Sequence, residues 1–259
     1  MINCVDIVNR RKDILRKYIQ KHHLEETQLD IIQIGDNPAS NSYIKGKMND
    51  CKDVNIKVQL HKYPVGTTTA TIISLIKQIS DNSQGIILQL PAEGIDITAV
   101  ANEIEDDLDV DGFKPTSGYT SCTPKGIMIL LDELNVNLVG KEVTIIGKSQ
   151  NVGKPLISLF LNRGATVTSC NSHTKSIAKH TKTADVIVCA VGKQNLLTKD
   201  MVNPNCIILD VGINQDENGK LCGDCDKELY DYVNMITPVP KGIGLLTRLA
   251  LLENIIYNI

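Results

Sequence analysis

The chain of 259 residues carries 27 Lys and Arg against 30 Asp and Glu, a net charge of −3, and 42% of its residues are hydrophobic. Such a chain can bury the core of one large or two modest domains, and its small net charge excludes the strong field typical of nucleic-acid or anionic-membrane binding. The longest apolar runs are strand-length, and the charged N-terminus has no signal-peptide apolar region. We therefore expect a cytoplasmic protein without nucleic-acid or membrane partners.

The first half of the chain alternates between helical patterns and strand-length apolar runs. Helical periodicity covers residues about 5–23, 39–53 and 69–80, and apolar runs cover residues 29–35, 55–61 and 85–90. Strands that alternate regularly with helices are typical of a parallel α/β sheet. We predict an N-terminal α/β domain with a mainly parallel sheet.

Polar residues of this half form a candidate catalytic group. Tyr43 and Lys47 are four positions apart, which places them on one face of a helix. Gln89 ends a predicted strand, where α/β sheets meet their ligands, and Asp109 and Asp111 follow in the stretch LDVDGF. A lysine partly desolvated beside an aromatic ring, with a glutamine to orient it, suits proton transfer. The alternative is a solvated helix lysine without a catalytic role.

The connection of residues 104–126 interrupts the alternation, since it is rich in Asp, Gly, Pro and Ser. After it, apolar runs recur at residues 141–147, 165–170, 185–191 and 206–212, with helical segments between them. An amphipathic helix is predicted over residues about 244–258. We predict a second α/β domain of Rossmann type and a cleft where the chain crosses between the domains.

The first turn of the second series has the features of a nucleotide site. The turn matches the G-x-G-x-x-G pattern only loosely: Gly147 is in place, Ser149 holds the second glycine position, and Val152-Gly153 closes the turn. The turn nevertheless follows a predicted strand and opens a helix, whose N-terminus can hold a phosphate. The alternative is an ordinary strand-to-helix turn.

The residues that follow the next strand indicate which dinucleotide would bind. NAD sites usually carry a carboxylate there for the ribose 2′-hydroxyl, but the stretch NSHT contains none. Lys148 and Ser172 offer a cation and a hydroxyl, which suit a 2′-phosphate. NADP is therefore favoured as the dinucleotide, with NAD as the alternative. For Lys148, the alternative is a solvated surface lysine without a binding role.

Eight cysteines raise the question of disulfides or metal binding. Cys189 and Cys206 lie in candidate buried strands, where a reduced cysteine behaves as a small hydrophobe, so we expect free thiols. Cys222 and Cys225 form one C-x-x-C pair, but no second pair or nearby histidine completes a zinc set. We predict no metal site, and we assign Cys122 to packing.

Ordered motifs within residues 30–247 carry a resemblance to a known family. They are IGDNPASNSYIKGK, GIILQLP, DVDGF, CTPKG, GKSQNVGKP, ATVTSCNSHT, ADVIVCAVGK, DVGIN, GKLCGDCD and ITPVP. The set closely resembles the bifunctional methylenetetrahydrofolate dehydrogenase/methenyltetrahydrofolate cyclohydrolase family of FolD type. This resemblance implies a homodimer whose folate-binding catalytic domain, residues 1–117 with 243–259, joins a Rossmann NADP-binding domain, residues 118–242.

The activity implied by the resemblance has two steps on tetrahydrofolate derivatives. NADP-dependent oxidation converts 5,10-methylenetetrahydrofolate to the 5,10-methenyl form, and hydrolysis then gives 10-formyltetrahydrofolate. Lys47 would assist proton transfer in the hydrolysis, Tyr43 would flank the folate, and Gln89 would hold Lys47. Asp111 would bind the amino-pyrimidine edge of the pterin.

Further binding residues are implied by position in the same motifs. The substrate would also contact Leu90, Pro91, Pro240, Lys241, Gly242, Ile243 and Gly244. The dinucleotide would contact Gly147, Lys148, Ser149, Ser172 and Ile213. The segment ITPVPKGIGLLT then becomes a substrate loop that prolines stiffen and glycines bring close to the folate.

Several positions depart from the family pattern. Lys148 replaces an arginine, which keeps the charge for a 2′-phosphate but loses the bidentate fork. Lys241 replaces a glycine and Leu245 a proline in the substrate loop, and the usual histidine before Ser172 is Asn171. Lys148 leaves the degree of NADP preference open, whereas Lys241 and Leu245 predict weaker or altered folate binding with the chemistry intact. Two alternatives stay open: a non-catalytic folate- or nucleotide-binding paralogue, and an NAD-dependent monofunctional dehydrogenase.

Overall fold

The computed structural model describes residues 1–257 and divides the chain into two compact units. The three-stranded unit, named after its sheet, comprises Asn9–Cys122 and the segment that begins at Arg248. The five-stranded unit comprises Met1–Val8 and Thr123–Thr247. No helix within residues 1–257 combines the length and the apolar character that crossing a bilayer requires.

Helices and strands alternate regularly through the first part of the chain. In order they are α1 (Cys4–His22), β1 (Gln28–Ile34), α2 (Pro38–Val54), β2 (Lys57–Tyr63), α3 (Thr69–Ile79), β3 (Gly85–Gln89) and α4 (Ile97–Glu103). The three strands form one parallel sheet in the order β2-β1-β3. β1 is the central strand, with neighbours paired on both sides, and its residues LDIIQI are all buried, including Asp30 and Gln33.

Local sequence explains where α2 begins and ends. The Asn37 side chain accepts hydrogen bonds from the N–H groups of Ala39 and Ser40, and Pro38 occupies the first turn, where no N–H is needed. The helix ends at Val54, and the next residue, Asn55, caps it with a left-handed φ of 64°. The helix therefore presents its polar residues in a fixed register.

The second part of the chain contains the remaining elements. They are α5 (Cys122–Glu133), β4 (Glu142–Ile146), α6 (Gly153–Asn162), β5 (Thr166–Cys170), α7 (Ala178–Thr181), β6 (Val186–Cys189), β7 (Ile207–Asp210), β8 (Asn214–Gln215), β9 (Leu221–Cys222), α8 (Leu229–Tyr232), β10 (Met235–Ile236) and α9 (Ile243–Tyr257). Five strands form a parallel sheet in the order β10-β7-β6-β4-β5, and β8 and β9 form an antiparallel hairpin. All carboxyl ends of the parallel strands share one edge, which is where ligands of such sheets bind.

The predicted fold class is confirmed. Each predicted strand overlaps a strand of a parallel sheet, and the chain forms two α/β units. The predicted domain bounds, residues 1–117 with 243–259 and residues 118–242, stay a prediction. The compact units instead divide at 122/123 and 247/248, and they group residues 1–8 with the five-stranded unit, where the Ile2 N–H donates to the Ile236 carbonyl.

The compact units divide within the connection of residues 104–126, and α5 begins there at Cys122. One local prediction needs correction. The predicted amphipathic pattern of the last helix is wrong, because residues 249–256 of α9 are all buried, including Glu253 and Asn254. Residue 258, the predicted end of that helix, lies outside the described residues.

Candidate active site

Lys47 is a buried lysine of the three-stranded unit. It lies on α2 and is only 4% exposed. Its Nζ lies 5.3 Å from the centroid of the Tyr43 ring, within the range of a cation–π contact, and 3.9 Å from Asp111 Oδ2. The ammonium is thus removed from water, and no carboxylate of residues 1–257 lies at hydrogen-bond distance from it. Tyr43, Lys47 and Asp111, predicted as one group, lie together.

The loop that carries Asp111 is fixed by hydrogen bonds to the buried Asp109 carboxylate. The Asp109 carboxylate accepts hydrogen bonds from the backbone N–H groups of Phe113 and Lys114, at 3.1 and 2.8 Å. Burial raises the pKa of this carboxyl above its ordinary value, although the two N–H groups oppose the shift. Gly112 has a φ of +64°, and a Cβ atom there would lie 2.6 Å from the backbone nitrogen of Ser121. The turn therefore requires glycine and leaves the Asp111 carboxylate partly exposed.

Gln89 ends β3 beside the same loop region. Its Nε2 donates to the Leu90 carbonyl at 3.0 Å, and that carbonyl also accepts from Ser40 Oγ at 3.2 Å. Its Oε1 is buried and has no hydrogen-bond partner within residues 1–257. The implied contact between Gln89 and Lys47 is not among its hydrogen bonds, so Oε1 is an acceptor still available to a ligand or to the ammonium.

An apolar cavity adjoins Asp111 in the three-stranded unit. Asp109 and Asp111 are the polar members of its lining, which is completed by Ile86, Ile87, Leu88, Leu90, Ile97, Ala101, Ile104 and Phe113. Apolar walls with a few placed polar groups are typical of small-molecule sites. Leu90, one of the predicted substrate residues, lines this cavity, and Pro91 is exposed next to it.

The predicted phosphate turn follows β4 in the five-stranded unit. Gly147 has a φ of +122°, and a Cβ atom there would lie 2.3 Å from the Ala190 carbonyl oxygen. A Cβ atom at Gly153, where α6 begins, would lie 2.2 Å from the Gly147 carbonyl oxygen. Both glycines are therefore required by backbone contact, and the turn brings the N-terminus of α6 to the carboxyl edge of the sheet.

The residues proposed for the 2′-phosphate lie at the same edge. β4 and β5 are paired neighbours, and the Gly147 N–H donates to the Cys170 carbonyl at 2.9 Å, so the turns that follow them are adjacent. Lys148, Ser149 and Ser172 are all exposed on these turns. A cation and two hydroxyls without a carboxylate fit the 2′-phosphate of NADP, and the tight glycine turn fits its pyrophosphate. Ile213 is exposed on the turn after β7.

The segment of residues 236–247 belongs to the five-stranded unit. Gly242 is tightly enclosed, since a Cβ atom there would lie 2.0 Å from the Pro238 carbonyl oxygen. Lys241 is exposed and has a φ of +72°, a left-handed backbone conformation that residues other than glycine rarely adopt. Pro240 is exposed, whereas Ile243 is buried at the start of α9; Gly244 has open space around it.

The predicted free thiols are confirmed, since all eight cysteines are unpaired and seven of them are buried. Cys225 of the C-x-x-C pair lies against Cys189 in the core, and this contact together with burial raises its pKa. Cys122 is buried, and its Sγ donates to the Val110 carbonyl at 3.4 Å. Within residues 1–257 no group of three or more His, Cys, Asp or Glu side chains could hold a metal ion.

Three residues important to these turns were not predicted from the sequence. Asp210 and Asp224 are buried carboxylates beneath the turns after β6 and β7, and Asn254 of α9 donates to the Val110 carbonyl at 2.7 Å, behind the Asp111 loop. An acidic residue within two positions of a glycine, as in DVGIN and GDCD, was the available signal for the first two. Nothing local marks Asn254, because its partner lies 144 residues away.

Comparison with known proteins agrees with this geometry. The catalytic domain of tetrahydrofolate dehydrogenase/cyclohydrolase matches residues 2–111, and its NAD(P)-binding domain matches residues 121–259. The bifunctional protein FolD of Lachnoclostridium phytofermentans is 39% identical over 95% of this chain and 93% of its own length. That of Bacillus subtilis is 41% identical over 89% of this chain and 86% of its own.

A solved structure extends the match to three dimensions. The crystal structure of the bifunctional enzyme FolD from Campylobacter jejuni is similar with a TM-score of 0.94 and 37% identity, covering 99% of this chain and 96% of its own. The family resemblance predicted from the ordered motifs is confirmed by two domain matches that span nearly the whole sequence. The chain belongs to the tetrahydrofolate dehydrogenase/cyclohydrolase family.

Proposed function

We propose that this enzyme oxidises 5,10-methylenetetrahydrofolate to 5,10-methenyltetrahydrofolate with NADP and then hydrolyses the product to 10-formyltetrahydrofolate. The observation that carries the proposal is the buried Lys47 ammonium, which faces the Tyr43 ring and the Asp111 carboxylate within the family's catalytic domain. The family's NAD(P)-binding domain supplies the second requirement, a dinucleotide site. NADP, when bound, supplies the nicotinamide that accepts a hydride.

In the oxidation, the protein's task is to bind and align. The turn at Gly147 and the N-terminus of α6 hold the pyrophosphate with backbone N–H groups, and Ser149 lies within this turn. Lys148 and Ser172 bind the 2′-phosphate by charge and hydrogen bonding, and Ile213 contacts the dinucleotide. The substrate loses a hydride from its methylene carbon, a step that needs alignment more than acid–base help.

In the hydrolysis, Lys47 moves a proton. Water adds to the methenyl carbon and loses a proton, which gives a hydroxyl adduct. The hydroxyl then loses its own proton as its oxygen forms the formyl C=O bond, the bond from this carbon to N5 breaks, and N5 takes up a proton. Lys47 Nζ serves these transfers, and its burial keeps the exchange local. Gln89 Oε1, a buried acceptor without a partner among the described residues, holds the ammonium during this step.

The remaining residues bind the folate. The Asp111 carboxylate accepts hydrogen bonds from the amino-pyrimidine edge of the pterin, and the Tyr43 ring flanks the folate. Leu90 and Pro91 offer apolar contact on one side. The segment of residues 240–244 contributes backbone and the Lys241 side chain.

The wild-type enzyme tests this function directly. Purified protein is given 5,10-methylenetetrahydrofolate with NADP or with NAD, and reduced dinucleotide and 10-formyltetrahydrofolate are both measured. We expect both products with NADP and a lower rate with NAD. Binding without turnover would contradict the enzyme and favour a non-catalytic paralogue. Reduction of NAD alone without hydrolysis would favour a monofunctional dehydrogenase.

We further propose that the enzyme is a cytoplasmic homodimer. The compartment is supported by the eight free thiols, which are typical of reducing surroundings. The homodimer is supported by the family resemblance. Sedimentation of the purified enzyme should give twice the chain mass of 28.4 kDa, and a monomer at working concentration would contradict the dimer.

A further inference from the structure

Asp224 carries a fully buried carboxylate that is held by two turns of the five-stranded unit. Its Oδ2 accepts hydrogen bonds from the N–H groups of Val191 and Gly192, at 2.8 and 3.1 Å. Its Oδ1 accepts from the Lys193 N–H at 2.8 Å and from Asn214 Nδ2 at 3.0 Å. Four N–H donors therefore hold this charge, and three of them are consecutive backbone groups of the turn after β6.

The backbone around the Asp224 carboxylate is closely packed against it. A Cβ atom at Gly212 would lie 2.1 Å from Asp224 Oδ1. A Cβ atom at Gly223 would lie 1.9 Å from Oδ2 of Asp210, whose buried carboxylate accepts from the Asp224 N–H at 2.9 Å. The two carboxylates thus join the turn after β6, the turn after β7 and the loop that contains Asp224 into one rigid arrangement.

These turns lie where one end of a dinucleotide would extend. β6 and β7 are parallel neighbours, so both turns are at the carboxyl edge of the sheet. In the order β7-β6-β4-β5 the pyrophosphate turn follows β4 and the 2′-phosphate residues follow β5. The nicotinamide half therefore extends the other way, toward β6 and β7.

Each of the two turns exposes one apolar side chain at this edge. Val191 is 49% exposed on the turn after β6, and Ile213 is 64% exposed on the turn after β7. Asp224 binds the backbone of Val191 and the side chain of Asn214, the residue after Ile213. One buried carboxylate thus sets the position of both apolar side chains.

We propose that Asp224 is a positioning residue for the dinucleotide. It fixes the backbone of Val191, whose side chain contacts the nicotinamide half together with Ile213. Without the carboxylate, the three N–H groups of residues 191–193 have no buried acceptor and must turn toward water, which moves Val191. The inference rests on the proposed function, since it names further residues of the dinucleotide site.

Two changes remove the carboxylate's role by different routes. Asp224→Asn removes the charge, and Gly212→Ala leaves the charge but places a methyl group where Oδ1 lies. Each should raise the Kd of NADPH about tenfold, as measured by fluorescence titration. This factor corresponds to the free energy of one charge-assisted hydrogen bond. Hydrolysis of 5,10-methenyltetrahydrofolate without dinucleotide, measured alongside, should change less than NADPH binding does.

Val191→Ser tests the contact itself without disturbing a buried group, so it does not depend on whether Asp224→Asn folds. It should raise the NADPH Kd about fivefold through lost apolar contact. The matched control is Val139→Ser, because Val139 is also an exposed valine of this unit, at 71%, but precedes β4 at the opposite edge of the sheet. We expect Val139→Ser to bind NADPH as the wild type does.

The outcomes separate this inference from the proposed function. If wild-type enzyme fails to bind NADPH or to turn over, the proposed function itself is wrong. If the wild type is active but Val191→Ser and Gly212→Ala bind NADPH normally, the inference alone is overturned. A parallel loss of NADPH binding and hydrolysis in Gly212→Ala, with normal binding by Val191→Ser, would indicate a merely structural role and also overturn it.

Discussion

Lys47 and Lys45 lie two positions apart on α2 and have opposite surroundings. Lys47 is buried against Tyr43, whereas Lys45 is exposed on the other face of the helix. The helical repeat alone creates this difference, since residues two positions apart point about 200° away from each other. A lysine four positions from a tyrosine indicates a shared face, but only the structure adds the Asp111 carboxylate, which comes from a loop 64 residues later.

Lys241 is a residue-scale departure with a measurable cost. A residue other than glycine at a φ of +72° destabilises the folded protein by about 1 kcal/mol. We expect Lys241→Gly to raise the free energy of unfolding by about that amount and to tighten folate binding. Urea denaturation and folate titration measure the two effects.

Lys241→Ala is the matched control for that change. It removes the same ammonium but keeps a Cβ atom in the left-handed conformation, so it should not gain stability. If Lys241→Gly and Lys241→Ala are equally stable, backbone strain does not account for the effect. Unchanged or weaker folate binding by Lys241→Gly would contradict the prediction that Lys241 weakens folate binding.

At the scale of elements, one buried carboxylate joins three helices. Asp50 of α2 binds Lys12 of α1 through Oδ1 and Arg248 of α9 through Oδ2. Gly46 leaves room for this arrangement, since a Cβ atom there would lie 2.9 Å from Arg248 Cζ. Lys47 lies one turn before Asp50 on the same helix, so this network fixes the element that carries the proposed catalytic lysine.

Asp50→Ala should therefore be strongly destabilising. It leaves the buried Lys12 ammonium without its best partner, and breaking a buried ion pair typically costs about 3–5 kcal/mol. The free energy of unfolding in urea measures this. Asp53→Ala is the control, because Asp53 binds the same Lys12 at 2.8 Å from a half-exposed position and should cost at most about 1 kcal/mol. Equal losses in both variants would contradict the account.

A second element-scale contact predicts a pH dependence. The Asp185 carboxylate, just before β6, accepts from the Glu142 N–H at 2.9 Å and binds Lys141 at 3.1 Å. The backbone hydrogen bond lowers the pKa of Asp185 below its ordinary value of 3.8. A lowered pKa contributes stability above the ordinary value, and this stability is lost as pH falls through the folded-state pKa.

Asp185→Asn should consequently be less stable than the wild type at pH 7 by no more than about 1 kcal/mol, because solvent screens this partly exposed group. The difference should shrink as the pH falls below about 4. Urea denaturation at both pH values measures it. Asp81→Asn, at an exposed carboxylate, is the control and should show no such difference; a gap that persists at low pH would refute the carboxylate's role.

Strands were predictable because a buried parallel strand is a short apolar run, as in DVIVCAV, where Val186–Cys189 are all buried. The start of α5 at Cys122 was not predictable, since the Pro, Ser and Gly residues around it are typical of a loop. The buried polar residues of α9 were also unpredictable: Glu253 is buried because Arg11 pairs with it at 2.8 Å, a partner 242 residues away. Such pairs leave no local pattern.

At the scale of the whole molecule, the ordered motifs identified the family, and two domain matches confirm it. The proposed chemistry is divided between the two units. The proposed hydrolytic residues Tyr43, Lys47, Gln89 and Asp111 all belong to the three-stranded unit, and the proposed dinucleotide residues all belong to the five-stranded unit. Changes to the hydrolytic residues should therefore affect hydrolysis more than dinucleotide binding.

The most direct test of this division is the hydrolysis of 5,10-methenyltetrahydrofolate by Lys47→Ala, with NADPH binding measured on the same preparation. Loss of the proton-transferring group should lower hydrolysis by about 100-fold or more, whereas NADPH binding should be retained. Lys45→Ala, on the exposed face of the same helix, should hydrolyse at the wild-type rate. Hydrolysis by Lys47→Ala at the wild-type rate would contradict the account.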